Sequence, residues 1–191
     1  DNPLVKKNLQ GVNGYPLSNE DYKRLLKLIK EKGFEINKLP SLYTIDLSLD
    51  VEIKKEVDVE VKLLEPLLKQ VGLVKEKDYI KQLPIKAGRG HRIYPDYVLF
   101  YDKTEDQEKA EILIEAKLHI KNSIDLHNAF TQARSYANLL EANKIILCDK
   151  TGLIIFEKTD SFDRNQYTRI YWNEFKDTQV LNMFQKLIKQ P

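Results

Sequence analysis

Asp96, Glu115 and Lys117 are the residues whose types and spacing could do chemistry. Asp96 follows Pro95 and opens the apolar run Tyr97-Val98-Leu99-Phe100-Tyr101, while Glu115-Ala116-Lys117 closes the next one, Ile112-Leu113-Ile114. A charged, structureless turn from Asp102 to Lys109 separates the two runs, so the pair reads as a β-hairpin. In an antiparallel pair the start of one strand lies beside the end of the next. Three charged groups are therefore expected to converge at one rim. Two carboxylates and an ammonium group there suit a hard divalent cation held beside a scissile phosphate. A bare Asp…Glu-x-Lys set arises often by chance, and Glu115 with Lys117 could equally be an ordinary ion pair at a strand end.

Other elements must position these groups. Between about Lys55 and Val71, residues Val57, Val61, Leu64, Leu68 and Val71 recur at helical spacing and predict a buried stripe, with a kink at Pro66. Glu56 and Glu60 each precede a stripe position, on the margin where a carboxylate can look into a site. Tyr79 to Lys86 reads as a strand with Pro84 near an edge or bulge. Ser123 to Glu141 predicts a helix with apolar positions from Ile124 and Leu126 to Ala137 and Leu140. Gln132 interrupts that register, and Tyr136 lies one turn away on the same face. Lys144 to Cys148 and Gly152 to Phe156 read as strands joined by Asp149-Lys150-Thr151. The tail carries the only tryptophan, Trp172, and ends in an amphipathic helix from Phe175 to Lys189. Near the start, Ser18-Asn19-Glu20-Asp21 is a capping-box-like opening for a helix to about Lys32, stopped by Gly33. The expected division is an N-terminal helical appendage over 1–45, an α/β core over 46–160, and a C-terminal extension over 161–191 packed on that core.

Composition narrows the class. With 191 residues, 42% hydrophobic and 31% charged, the chain is folded and long enough for a globular domain with a full core, roughly one to two domains being expected. No apolar run approaches the roughly 20 residues that span a bilayer, so no membrane contact is expected. The single cysteine, Cys148, lies in an apolar run, which excludes an internal disulfide and fits a small buried residue in a reducing cytoplasm. The chain opens at Asp1 without a methionine, as expected of a segment of a longer protein. His91, His119 and His127 lack a zinc-like spacing, which argues against a histidine metal site. The net charge of +2 announces no nucleic-acid binder. Locally, however, Lys81, Lys86, Arg89, His91 and Arg92 fall in one stretch without an acid. A glycine-punctuated loop of this kind suits phosphate-backbone contact, especially through Lys86, Arg89 and Arg92.

The set Pro95-Asp96…Glu115-Ala116-Lys117 resembles the signature of the PD-(D/E)-x-K nuclease superfamily. Gln132-Ala133-Arg134-Ser135-Tyr136 is similar to the Gln-x-x-x-Tyr helix motif of a subset of those nucleases. Glu56-Val57-Asp58, Leu64-Glu65-Pro66-Leu67-Leu68 and Val71-Gly72 resemble the opening of the N-terminal nuclease domain of type I restriction enzyme R subunits. The resemblance runs from about Glu56 to Phe156. It implies an α/β, restriction-endonuclease-like core, a mixed central sheet flanked by helices, with an N-terminal helical appendage and a C-terminal helix. The implied activity is that of a Mg²⁺-dependent DNA endonuclease domain from a restriction or DNA-defence system, with Mn²⁺ able to substitute. Asp96, Glu115 and the Ala116 carbonyl would hold the metal, and Lys117 would orient the attacking water. Glu56 would hold an outer water or a second metal, and Gln132 and Tyr136 would approach the nucleic-acid backbone. DNA is the implied partner, with helicase or translocase, methyltransferase and specificity subunits as candidate associates. The sequence carries no Gly-x-x-x-x-Gly-Lys-Ser/Thr loop, so ATP-driven translocation is not expected of this stretch. Two alternatives stand beside this reading: a catalytically silent, nuclease-like nucleic-acid-binding module, and an assembly module of a larger restriction complex.

Overall fold

Alternation of apolar residues along the strands supplies two hydrophobic layers, one on each side of a six-stranded sheet. The computed structural model describes residues 19–34, 51–88, 90–104 and 107–189. It divides into two compact units, Asp1–Leu42 and Tyr43–Pro191. In the first, helix α1 (Asn19–Glu31) ends at Gly33, whose φ of +80° suits glycine. There the Gly33 and Phe34 N–H groups donate to the carbonyls of Lys30 and Ile29, a Schellman-type stop. The expected cap, Ser18, lies outside the described residues.

The second unit begins with α2 (Glu56–Val59), a π-helical turn (Glu60–Leu64) and α3 (Glu65–Gln70). Strands β1 (Tyr79–Lys81), β2 (Ile85–Lys86), β3 (Arg92–Ile93), β4 (Tyr97–Leu99), β5 (Asp102–Lys103), β6 (Glu108–Lys109) and β7 (Ile112–Ala116) follow. Helix α4 (Ser123–Leu139) leads to β8 (Lys144–Asp149), β9 (Gly152–Glu157) and β10 (Thr168–Tyr171). A 3₁₀ segment (Trp172–Lys176) and α5 (Thr178–Lys189) end the described chain. The main sheet has the order β1-β4-β7-β8-β9-β10. Within it only β7 and β8 run parallel, joined by the crossover through α4.

On one face Leu64, Leu68, Leu181 and Phe184 pack on Leu99, Ile112, Ile114 and Ile146. On the other, Ala129, Phe130, Ala133 and Ala137 of α4 pack on Val98, Leu113, Ile145 and Leu147. Burying each large apolar side chain contributes about 1.5–3 kcal/mol, so the two layers make the sheet the rigid base of everything at its rim. The result is the expected α/β architecture, a mixed sheet flanked by helices. Among the described residues no helix is long and apolar enough to cross a membrane.

Several local expectations are corrected. The helix over 55–71 is not simply kinked at Pro66. Glu65 N–H bonds to the Glu60 carbonyl, a five-residue step, and Pro66 falls in the first turn of α3, where its missing N–H costs nothing. The wide turn takes an extra residue to come round, so the apolar stripe does not continue through it at α-helical spacing. Val57 and Val61 are each 49% exposed, whereas Val59 and Leu63 are buried. The expected strand from Tyr79 to Lys86 divides at Gln82, whose φ of +51° is left-handed; β1 joins the main sheet and β2 pairs with β3. The charged turn contains a small β5–β6 hairpin. β10 carries no strand signal in its residues, and α5 starts later than Phe175, behind the 3₁₀ segment.

β10 is held close to β9 because Gly152 has no side chain. A Cβ there would stand 2.1 Å from the Ile170 carbonyl oxygen. Gly152→Ala is expected to lower stability by about 1–3 kcal/mol, read as an earlier urea midpoint. An unchanged midpoint would mean that β10 does not bear on β9 this tightly.

Candidate active site

The pairing of β4 with β7 builds the site. Tyr97 stands opposite Ile114, so the residue before Tyr97 meets the residue after Ile114. Asp96 and Glu115 thereby become neighbours. The Ala116 N–H seals the junction by donating to Asp96 Oδ2 at 2.8 Å. The next N–H, that of Lys117, donates to the Cys148 carbonyl on β8, which fixes the end of the strand. Asn122 caps α4 by accepting from the Ile124 and Asp125 N–H groups.

Glu115 is only 2% exposed. Its Oε1 accepts from Lys117 Nζ at 2.8 Å and from Gln132 Nε2 at 2.5 Å, while Oε2 is buried without a partner. Gln132 Nε2 also lies 3.3 Å from the Tyr136 hydroxyl, so the glutamine that interrupts the apolar register of α4 points at the carboxylate. Glu56, at the start of α2, reaches to 3.9 Å from Lys117 Nζ. Glu56, Lys117 and Gln132 line a cleft of about 330 Å³ that also takes in His119, Asp125 and Asn128.

Burial pushes the Glu115 carboxyl up to about 7, and the nearby Asp96 charge pushes the same way against Lys117. Burial likewise raises Asp96, opposed by the Ala116 hydrogen bond and Lys117 and assisted by Glu60 and Glu56. For Lys117, burial works against the charge, but the hydrogen bond to Glu115 and the surrounding carboxylates outweigh it and raise the ammonium. One lysine thus faces three acids, Asp96, Glu115 and Glu56.

A second polar network lies beside the first. Lys81 Nζ sits 2.9 Å from Glu60 Oε2 and 3.0 Å from Glu65 Oε1. The Tyr97 hydroxyl donates to Glu65 Oε1 at 2.7 Å and lies 3.2 Å from Glu60 Oε2. Of the two glutamates considered at the helix margin, Glu60 is therefore engaged here and Glu56 is the one beside Lys117. Lys81 is half-buried and ion-paired, so it does not belong with the exposed basic loop. Lys86 and Arg92 do: they stand opposite each other on the β2–β3 hairpin, both exposed. Arg89 lies outside the described residues.

Two further groups belong to the site's surroundings. Asp149, at the end of β8, is buried; it accepts from the N–H groups of Ile120, Thr151 and Gly152, tying the segment after Lys117 to the β8–β9 turn. An aspartate three residues before a strand glycine was the available signal. His119 lines the cleft and had no signal beyond its place two residues after Lys117. Cys148 is buried, and desolvation raises its thiol, which makes it inert. Among the described residues no three His, Cys, Asp or Glu side chains gather as a ready cation cage. The two neighbouring carboxylates, one of them with a buried, unpartnered oxygen, fit an ion that keeps most of its own waters.

No protein-family model matches the chain, and no curated protein matches it. Among solved structures it is similar to a DrdV–DNA complex determined by cryo-electron microscopy, at 16% identity and a TM-score of 0.42. The likeness covers 87% of this chain and 13% of that one.

The Glu115 carboxyl gives the site a pH signature. Unfolded, it releases its proton near 4.5; folded, near 7. Between those values the unfolded state binds fewer protons, so stability falls as pH rises from about 4.5 to about 7 and levels off above. Asp96, shifted the same way, adds to the loss. The fall is expected to be of the order of 1–3 kcal/mol in denaturant titrations at pH 5 and pH 8. Glu115→Gln should flatten it and leave the variant the more stable protein at pH 8. A wild type equally stable at both pH values would contradict the assignment.

Proposed function

We propose that this chain is a Mg²⁺-dependent deoxyribonuclease domain that hydrolyses phosphodiester bonds in a cytoplasmic DNA-defence system, Mn²⁺ serving in place of Mg²⁺. The observation that carries the reading is the meeting of Asp96, Glu115 and Lys117 at the β4–β7 rim, with Gln132 bonded to Glu115. These are the residues that carry the resemblance to PD-(D/E)-x-K nucleases, and a chance match in sequence has no reason to converge in space. Asp96 and Glu115, with the Ala116 carbonyl, would hold the metal. The buried, unpartnered Glu115 Oε2 and the mutual repulsion of the two carboxylates support that role. When bound, the ion would polarise the phosphoryl group and make its own water a stronger nucleophile.

The protein's own groups do the positioning. Lys117 keeps its proton, so it acts as a fixed positive charge that orients a water and offsets charge developing on the phosphate. Gln132, itself 3.3 Å from the Tyr136 hydroxyl, bonds Glu115, and Gln132 is exposed enough to meet a nucleic-acid strand as well. Glu56, which lines the cleft 3.9 Å from Lys117 Nζ, is suited to an outer water. Lys86, Arg89 and Arg92 would take backbone phosphates, since the β2–β3 hairpin leads directly to Asp96 and Lys86 and Arg92 have no acidic partner among the described residues. Helicase, methyltransferase or specificity subunits would join it if the domain serves a larger restriction assembly.

Asp96→Ala and Lys117→Ala are each expected to lower Mg²⁺-dependent nicking of supercoiled plasmid by at least about 100-fold. Removing magnesium with EDTA should do the same to the wild type. Full activity in either variant ends the nuclease reading, and a wild type that binds DNA without cutting it favours the silent binding module.

The basic hairpin makes a separate forecast. Replacing Lys86, Arg89 and Arg92 together by Ala should flatten the slope of log affinity against log salt by about two to three on duplex DNA. Metal binding measured by calorimetry should be unaffected. An unchanged slope would mean that the hairpin points away from the nucleic acid.

A further inference from the structure

The cleft beside Lys117 holds two polar groups that no other described residue engages. Lys117 is engaged by Glu115 and Glu56, Gln132 by Glu115 and Tyr136, and Asp125 accepts from the Lys121 N–H. Among the described residues His119 and Asn128 have no hydrogen-bond partner. The backbone on either side of His119 is fixed: Ile120 N–H donates to Asp149 Oδ2 at 2.7 Å, and Lys150 N–H to the Leu118 carbonyl at 3.3 Å. The histidine is therefore presented on a rigid support. Its Nδ1 is buried and unpartnered, which leaves Nε2 as the ring nitrogen open to solvent. With Nδ1 buried, Nε2 is the ring nitrogen that can meet a ligand, and protonated there it is a donor to the cleft. Asn128, on the exposed side of α4, offers a second through its amide.

His119 and Asn128 line the same cleft as the Lys117 ammonium, so an anionic oxygen drawn in by Lys117, against the Glu56 and Asp125 carboxylates, meets two further donors. We propose that His119 Nε2 and the Asn128 amide donate to non-bridging oxygens of a phosphodiester in the bound strand, next to the bond held at Lys117, and so set the strand's register in the site. This rests on the nuclease reading and names residues outside the acid–lysine set.

The test uses the whole chain with ¹⁵N-labelled histidine in EDTA; there are only three histidines to resolve. The probe is thymidine trinucleotide, compared with its neutral methylphosphonate analogue. Saturable shifts of the His119 ring signals are expected, with His91 and His127 unmoved. The analogue should bind about three- to tenfold more weakly, and Asn128→Ala should weaken the natural trinucleotide by a similar factor. Asn128 is exposed, so that variant reports even if His119→Ala does not fold. His119 signals that stay still, or that respond equally to the neutral analogue, overturn the proposal. Plasmid cleavage with a silent His119 sinks this contact and leaves the nuclease reading intact. His119 shifts without cleavage support the phosphodiester contact and sink the nuclease instead.

Discussion

The register of β4 against β7 is the constraint on which the rest of the site depends. Side chains alternate along a strand, so a slip of one residue would turn every inward group outward. Val98 and Leu113 face α4, while Tyr97, Leu99, Ile112 and Ile114 face the other helices. Both layers are filled, and any slip would put the wrong residues into both. The same alignment that satisfies the two layers sets Asp96 beside Glu115. A demand of packing, far larger in energy than any single polar contact, thereby fixes the geometry of the polar groups. The hydrogen bond from Ala116 to Asp96 then needs only to hold the last residue in place.

What packing imposes, electrostatics resists. Glu115 is deep enough that its charged form is disfavoured, yet Lys117 and Gln132 both bond to the same oxygen and leave the other alone. Native proteins seldom leave a buried polar atom unmatched, and such exceptions gather where the protein binds something. The neighbouring network is the opposite case. Glu60 and Glu65 share Lys81 and the Tyr97 hydroxyl, leaving the two carboxylates well supplied with donors. That network joins the π-helical turn to β1 and β4. It thereby fixes α2, and with it Glu56, against the strand that begins at Asp96. One cluster is satisfied and structural; the adjoining one is incomplete and faces a cleft.

Much of this was legible in the residues themselves. The β4–β7 hairpin, α4 and the β8–β9 pair come from apolar runs of distinct period bounded by turn residues, and Gln132 stood out because it broke the register of α4. The π-helical turn was not legible, because the change from a four- to a five-residue bond leaves no trace in composition; the stripe was consequently drawn through Val57 and Val61, which are exposed. β10 was missed because Ile170 is the one fully apolar residue of Thr-Arg-Ile-Tyr, too little to signal a strand. Lys81 looks like part of the basic loop in the sequence because its acids lie 16 and 21 positions upstream, and only the fold brings them together. Long-range polar partnerships are the part of a structure that local pattern cannot convey.

The ends of the main sheet carry a consequence of their own. A sheet with two apolar faces exposes unpaired N–H and C=O groups along its outer strands, which invites further strands from other chains. Here β1 is only three residues long, closed by the left-handed Gln82 and occupied by Lys81. At the other side β10 has four residues, with Arg169 stacked over Tyr171 and the chain turning at once into the 3₁₀ segment. Neither border offers a long, flat, apolar template. The shortness that made β10 hard to recognise is thus also protection against aggregation: the protein keeps a deeply hydrophobic sheet while giving a second sheet little to grow from.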